Sequence, residues 1–221
     1  MKMIASFYKH NDIRFVSHLD MQRLLQRAFR RADLPLAYSK GFNPHPLLSF
    51  ATALSVGYTS DSEYFEIELT EKLQPEYFME KVNSVLPEGV KIISAFDASE
   101  TKTSLTALMR SAEYTVKLDF NEKPDTETLQ AAADKLMNGE INVMKKTKGG
   151  IKPVNIRPYV LKFNVLPQKE NKIFLNINGV LTASGGLPVE LLLDAFYELV
   201  GQKPSADVNR DKIIMDWAAL K

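Results

Sequence analysis

Residues 64–96 read YFEIELTEKLQPEYFMEKVNSVLPEGVKIISAF, and this stretch decides the fold. Phe65, Ile67 and Leu69 alternate with Glu66 and Glu68, the period of two that marks a half-buried strand from Tyr64 to Leu69. Pro75 suits the first turn of a helix running from Glu76 to about Leu86, with Tyr77, Phe78, Val82 and Leu86 as its buried set. Gly89 closes the connection, and Val90 to Phe96 reads as the next strand.

Toward the N-terminus, Met3 to Tyr8 is a short apolar and aromatic strand, extended or repeated by Ile13 to Val16 after the Asn11-Asp12 turn signal. Ser17 is a suitable N-cap, Asp20 complements the exposed amides of a first turn, and a helix should run to about Ala32 before Leu34-Pro35 stops it. At 100° per residue Met21, Leu24, Leu25, Ala28, Phe29 and Ala32 cluster on one side, and Arg23, Arg27, Arg30 and Arg31 on the other. Leu36 to Phe50 must be irregular, because Pro44 and Pro46 forbid a regular central strand, and Ala51 to Val56 continues the strand after it. The first half therefore reads β-α-β-β-α-β, the order of a ferredoxin-like unit.

The Ser-, Thr- and Lys-rich segment Asp97 to Ala112 is the expected linker, after which the order begins again. Glu113 to Phe120 is a strand and Thr126 to Met137 a helix. Ile141 to Lys146, Val154 to Val165 and Ile173 to Ile177 are strands, Pro188 to Val200 is a helix, and Asp207 to Met215 supplies a last strand. The expected fold class is α+β, two tandem ferredoxin-like units with mainly antiparallel sheets, residues 1–100 and 112–221. Its simplest rival is one α+β domain.

Composition excludes little and localises much. The formal net charge of +1 rules out a uniformly basic or acidic chain, so local charge must carry any partner argument. There are no cysteines, which removes disulfides, thiolate zinc sites and cysteine-held iron–sulfur clusters from this chain. No stretch is long and apolar enough for a membrane span, and the expectation is a cytoplasmic protein without a membrane partner.

Polar chemistry concentrates between Arg14 and Ser49. Before residue 60, Lys2, Lys9, Arg14, Arg23, Arg27, Arg30, Arg31 and Lys40 face only Asp12, Asp20 and Asp33. A guanidinium is permanently charged and forks onto phosphate, so the four helical arginines suit a polyanion; a solvated charged face is the plain alternative. The acids that follow, Asp61, Glu63, Glu66, Glu68, Glu71, Glu76 and Glu80, either neutralise those arginines or line the far side of a cleft. Within Ser39 to Ser49, Gly41 admits close approach, Ser39 and Asn43 offer hydrogen bonds, and His45 is held between two prolines; a self-capping turn is the plain alternative. His18 and His45 are the candidate catalytic residues, and acid–base use of both would resemble metal-independent RNA cleavage. No ligand spacing specifies a metal at His18, Asp20 and His45, and neither metal nor cofactor is expected. Lys145 to Lys152, with Gly149-Gly150, reads as a plain turn.

The segment SHLDMQRLLQRAFRRADLPLAYSKGFNPHPLLSFATALSVGYTSDSEYFEIEL, Ser17 to Leu69, resembles the signature of the radical-SAM-linked protein family, a bacterial domain encoded beside or fused to radical SAM proteins. NIRPYV, Asn155 to Val160, is similar to a weaker motif in that family's second half. The resemblance implies a radical SAM protein as partner, and the neighbourhood of a G/E-type ribonuclease in some genomes hints at RNA. The leading reading is a noncatalytic accessory protein that binds RNA or another anionic substrate through Arg14, His18, Arg23, Arg27, Arg30, Arg31, Tyr38, Ser39, Lys40, Phe42, Asn43 and His45. Tyr38, Phe42 or His45 would stack on an unpaired base. The alternatives are an RNA endonuclease or RNA-modification enzyme using His18 and His45, and a protein-docking module.

Overall fold

The structure, a computed structural model, describes residues 1–122, 124–147, 150–169 and 172–220. Its strands and helices are β1 (Lys2–Lys9), α1 (His18–Arg31), β2 (Leu48–Phe50), β3 (Thr59–Glu68), α2 (Pro75–Asn83), β4 (Val90–Asp97), β5 (Met109–Asp119), α3 (Thr126–Asn138), β6 (Asn142–Thr147), β7 (Gly150–Asn155), β8 (Val160–Lys169), β9 (Lys172–Thr182), β10 (Gly185–Gly186), α4 (Val189–Val200) and β11 (Ser205–Met215). The chain is thus a mixed α+β protein, with four helices among the described residues and strands that pair mostly antiparallel. It divides into two compact units, residues 1–109 with 210–221, and residues 110–209.

In the first unit the strand order is β11-β3-β1-β4, with β2 also on β3. β1 is central, antiparallel to both β3 and β4, with Ala5 opposite Phe65 and Phe7 opposite Ile92. One face of this sheet presents Met3, Ala5, Phe7, Phe65, Ile67, Leu69 and Ile92 to Met21, Leu25 and Phe29 of α1 and to Phe78 and Val82 of α2. Phe29 is fully buried, with its ring centre 5.6 Å from Phe65 and 6.1 Å from Phe78. Burying a side chain of that size contributes about 1.5–3 kcal/mol, which is why the apolar stripe of α1 docks and its arginines do not.

In the second unit β5 and β8 each pair antiparallel with β9, and the order runs β10-β9-β5-β11. Phe163 of β8 lies 5.1 Å from Phe196 of α4, ring centre to ring centre. β6 and β7 form a separate hairpin with Lys145 opposite Lys152; Lys148 and Gly149 lie outside the described residues.

Several local expectations are corrected. Ile13 to Val16 is not strand: Asn11, at φ 50°, turns the chain out of β1 into a 3-10 turn at Asn11–Phe15. Ala51 to Val56 is irregular, since Ala51 N–H still bonds the Tyr64 carbonyl but the chain then leaves β3. The helix after Pro75 stops at Asn83, whose side chain instead pairs with both backbone groups of Ile92 at 2.8 and 2.9 Å. Val154 to Val165 is broken by a 3-10 turn at Arg157–Tyr159. The Asn155 side chain accepts from the amides of Ile141 and Arg157, while the Arg157 guanidinium donates to the carbonyls of Met137 and Val160. The NIRPYV motif is therefore a fastening of the α3 C-terminus, where a cation suits the free carbonyls. The segment read as linker contains a 3-10 turn at Leu105–Leu108 whose two leucines are buried.

Gly89 carries a clear stability test. It sits at φ +88°, and a Cβ there would meet the His10 carbonyl oxygen at 2.7 Å. Gly89→Ala should lower stability by more than about 1 kcal/mol in urea denaturation, since backbone strain and a backbone collision coincide.

Candidate nucleic-acid interface

Helix α1 begins where Ser17 caps it. The Ser17 hydroxyl accepts from Asp20 N–H at 3.2 Å and donates to the Asp20 carboxylate at 2.7 Å. That hydroxyl, and then the Arg23 guanidinium at 2.9 Å, hold the Asp20 carboxyl below its ordinary range. Asp20 therefore stays anionic at the positive end of the helix and pairs with Arg23.

The four helical arginines are all exposed and share one groove of about 770 Å³. Val16, Asp20, Leu24, Val85 and Pro87 complete its lining, so apolar side chains and one carboxylate share the groove with the arginines. Arg31 is fixed, donating to the Val85 carbonyl at 2.9 Å. Arg27 and Arg30 make no hydrogen bond or ion pair among the described residues. No acid of the following run forms an ion pair with them among the described residues; Asp61 pairs with His10 at 2.9 Å, Glu66 with Lys2 at 4.0 Å, and Glu63 with Arg210 at 2.9 Å.

The remaining candidates are dispersed. Arg14 precedes α1, its Nε donating to the Gly57 carbonyl at 2.5 Å and its guanidinium 5.6 Å from the Phe15 ring centre. His18 packs edge-on to Phe50 at 5.0 Å and lines a cavity of about 20 Å³, room for a single water, with Lys9, Thr52 and Glu63. His45 lines a different cleft of about 190 Å³ with Lys2, Ser49, Glu66 and Glu68. The two imidazoles thus line separate pockets.

The Ser39–His45 loop is fastened to itself. Ser39 N–H donates to the His45 carbonyl at 2.9 Å, His45 N–H donates to the Ser39 hydroxyl at 3.1 Å, and that hydroxyl lies 3.0 Å from His45 Nδ1. Tyr38 bridges to Pro46. Lys40, Phe42 and Asn43 are exposed, and the Asn43 carbonyl lies 3.4 Å from His45 Nδ1.

The sequence reading missed a buried charge cluster. Glu63 and Arg210 are 3% and 5% exposed, and Arg210 Nη1 donates to both Glu63 oxygens at 2.9 and 3.0 Å. Lys9, 3% exposed, donates to the carbonyls of Arg14 and Val16 at 3.3 and 2.8 Å. Burial pushes the Lys9 ammonium below its ordinary value of 10.5, and the Glu63 charge opposes that shift. The signal was present: Lys9 continues the inward row Met3, Ala5, Phe7, and Glu63 the inward row Phe65, Ile67, Leu69.

The model of a family described as uncharacterised protein conserved in bacteria (DUF2344) matches residues 2–186, and the chain belongs to that family. No curated protein matches it. Among solved structures, a chain of the Cbf5-Nop10-Gar1 complex aligns with a TM-score of 0.54 at 10% identity, over 97% of this chain and 50% of that one. A chain of the archaeal box H/ACA sRNP Nop10-Cbf5 complex gives 0.52 at 8% identity, over 97% and 49%. A chain of an H/ACA RNP bound to a substrate RNA containing 2′-deoxyuridine gives 0.54 at 7%, again over 97% and 49%. These likenesses concern the fold, and the chain spans about half the length of the chains it matches. No helix among the described residues is long and apolar enough to cross a membrane.

Lys9 makes stability depend on pH in a definite direction. Between its lowered folded value and 10.5 the unfolded chain binds more protons than the folded one, so stability rises with pH across that window. Urea denaturation from neutral to moderately alkaline pH should show the wild type gaining on Lys9→Met as pH rises.

Proposed function

We propose that this member of the bacterial family is an RNA-binding accessory protein that holds phosphates on the exposed face of α1 and performs no chemistry itself. The observation that carries the reading is the pair Arg27 and Arg30, two guanidinium groups that make no hydrogen bond or ion pair among the described residues and line a groove with apolar side chains. Guanidinium groups left free on one helix face, while nearby acids are engaged elsewhere, are suited to bidentate phosphate contacts. The likeness to chains of an sRNP and of an H/ACA RNP bound to a substrate RNA agrees with an RNA ligand.

The resemblance of residues 17–69 supports a radical SAM protein as partner. A chain without cysteine leaves any cysteine-held cluster to that partner, and the cytoplasm is the compartment this role implies. Reading each unit as ferredoxin-like is supported by the orders β4-β1-β3-β2 and β11-β5-β9-β8, with β6 and β7 inserted in the second.

Binding should be read as a function of salt. Anisotropy titration of labelled cellular RNA should give a linear fall of log affinity with log salt. Arg27→Ala with Arg30→Ala should reduce that slope by about 1.4, since each phosphate of a single strand that is no longer neutralised removes roughly 0.7. Affinity and slope unchanged in the double variant would remove α1 from the interface.

A further inference from the structure

The groove on α1 does not end in arginine. Phe15 and Leu19, each directly preceding a groove-lining residue, Val16 and Asp20, are 65% and 63% exposed. Large apolar side chains left this open on a segment that leads into an exposed arginine face are suited to a ligand that is itself part apolar and part anionic. Phe15 is more than an exposed ring, because the Arg14 guanidinium lies 5.6 Å from its centre and is fixed by the Gly57 carbonyl. A planar cation behind an aromatic ring forms a platform for another flat π system.

Resting on the RNA reading above, we infer that the site takes an unpaired strand: Phe15 stacks a nucleobase, Leu19 and the apolar side chains of the groove receive the adjoining sugar and base, and Arg27 and Arg30 hold phosphates further along α1. A duplex turns its base faces inward and offers this surface only sugar and phosphate, so it would leave Phe15 and Leu19 unused. An unpaired strand offers both base faces and phosphates together. Stacking thus falls not to Tyr38 or Phe42 but to the residue that ends the 3-10 turn at Asn11–Phe15 and directly precedes the groove-lining Val16.

The test compares an oligouridine with a duplex of equal length, in one buffer, on wild type, Phe15→Ala, Phe15→Leu and Phe15→Tyr, with thermal melting to confirm that each variant is folded. The single strand should bind at least about tenfold more tightly, on the order of one base-stacking interaction. Phe15→Ala and Phe15→Leu should each lose most of that margin and leave duplex binding unchanged, whereas Phe15→Tyr should keep it. Equal affinity for both nucleic acids, indifferent to Phe15, overturns the unpaired-strand assignment while leaving RNA binding by α1 in place. Failure to bind either nucleic acid, with capture instead by an acidic peptide or by anionic vesicles, overturns the RNA reading itself.

Discussion

A buried carboxylate, Glu63, grips the guanidinium of Arg210 through both its oxygens, and much of the first unit is organised around that grip. The interaction joins residues 147 positions apart in the chain. Arg210 also donates to the Ala53 carbonyl, and its own carbonyl accepts from Ser60, so the irregular stretch between β2 and β3 is tied to the same point. Beyond it, Trp217 packs on Tyr64 and Phe96, with each ring centre 5.5 Å away. An ion pair of this kind is not efficient stabilisation, since desolvation offsets most of the attraction, but loss of one partner would strand a charge and cost about 3–5 kcal/mol. Its consequence is specificity: β11 has one register in which Arg210 is answered.

Most of the first unit was legible because apolar spacing there is clean. The stripe Met21, Leu25, Ala28, Phe29 on α1 and the alternation in β3 are patterns that only one packing satisfies. What escaped were places where backbone hydrogen bonding to a side chain outweighed local pattern. Asn83 ends α2 early by acting as a strand neighbour to Ile92, and Asn155 with Arg157 interrupts what reads as one long strand. Nothing in spacing announces such bonds, because the partner lies far away in the chain or on another element. Glu63, Lys9 and Arg210 escaped for a different reason. Charged residues are ordinarily assigned outward, and only their parity with buried neighbours betrays them.

The candidate site was legible as chemistry but not as geometry. Spacing alone places four arginines on one face, where they line the groove; it cannot place Val85 and Pro87, which come from the turn after α2 and share that lining. Nor can it separate His18 from His45. Those two look like a pair in the sequence because both flank the arginines, yet one ring is committed to Phe50 and the other to Ser39. The polar wealth of residues 14–49 is thus partitioned into a cationic groove, a small polar cavity and a self-fastened loop.

That loop has a consequence of its own. Between Ser39 and His45 the backbone is closed by bonds from amide, hydroxyl and imidazole, while Phe42 at its tip is fully open to solvent. A ring carried on a slack loop must be immobilised whenever it meets another surface, at a cost of about 0.5–1.5 kcal/mol for a side chain alone and more for its backbone. Here the backbone share was settled during folding, so Ser39, three residues away, helps set how readily Phe42 can be received by a partner.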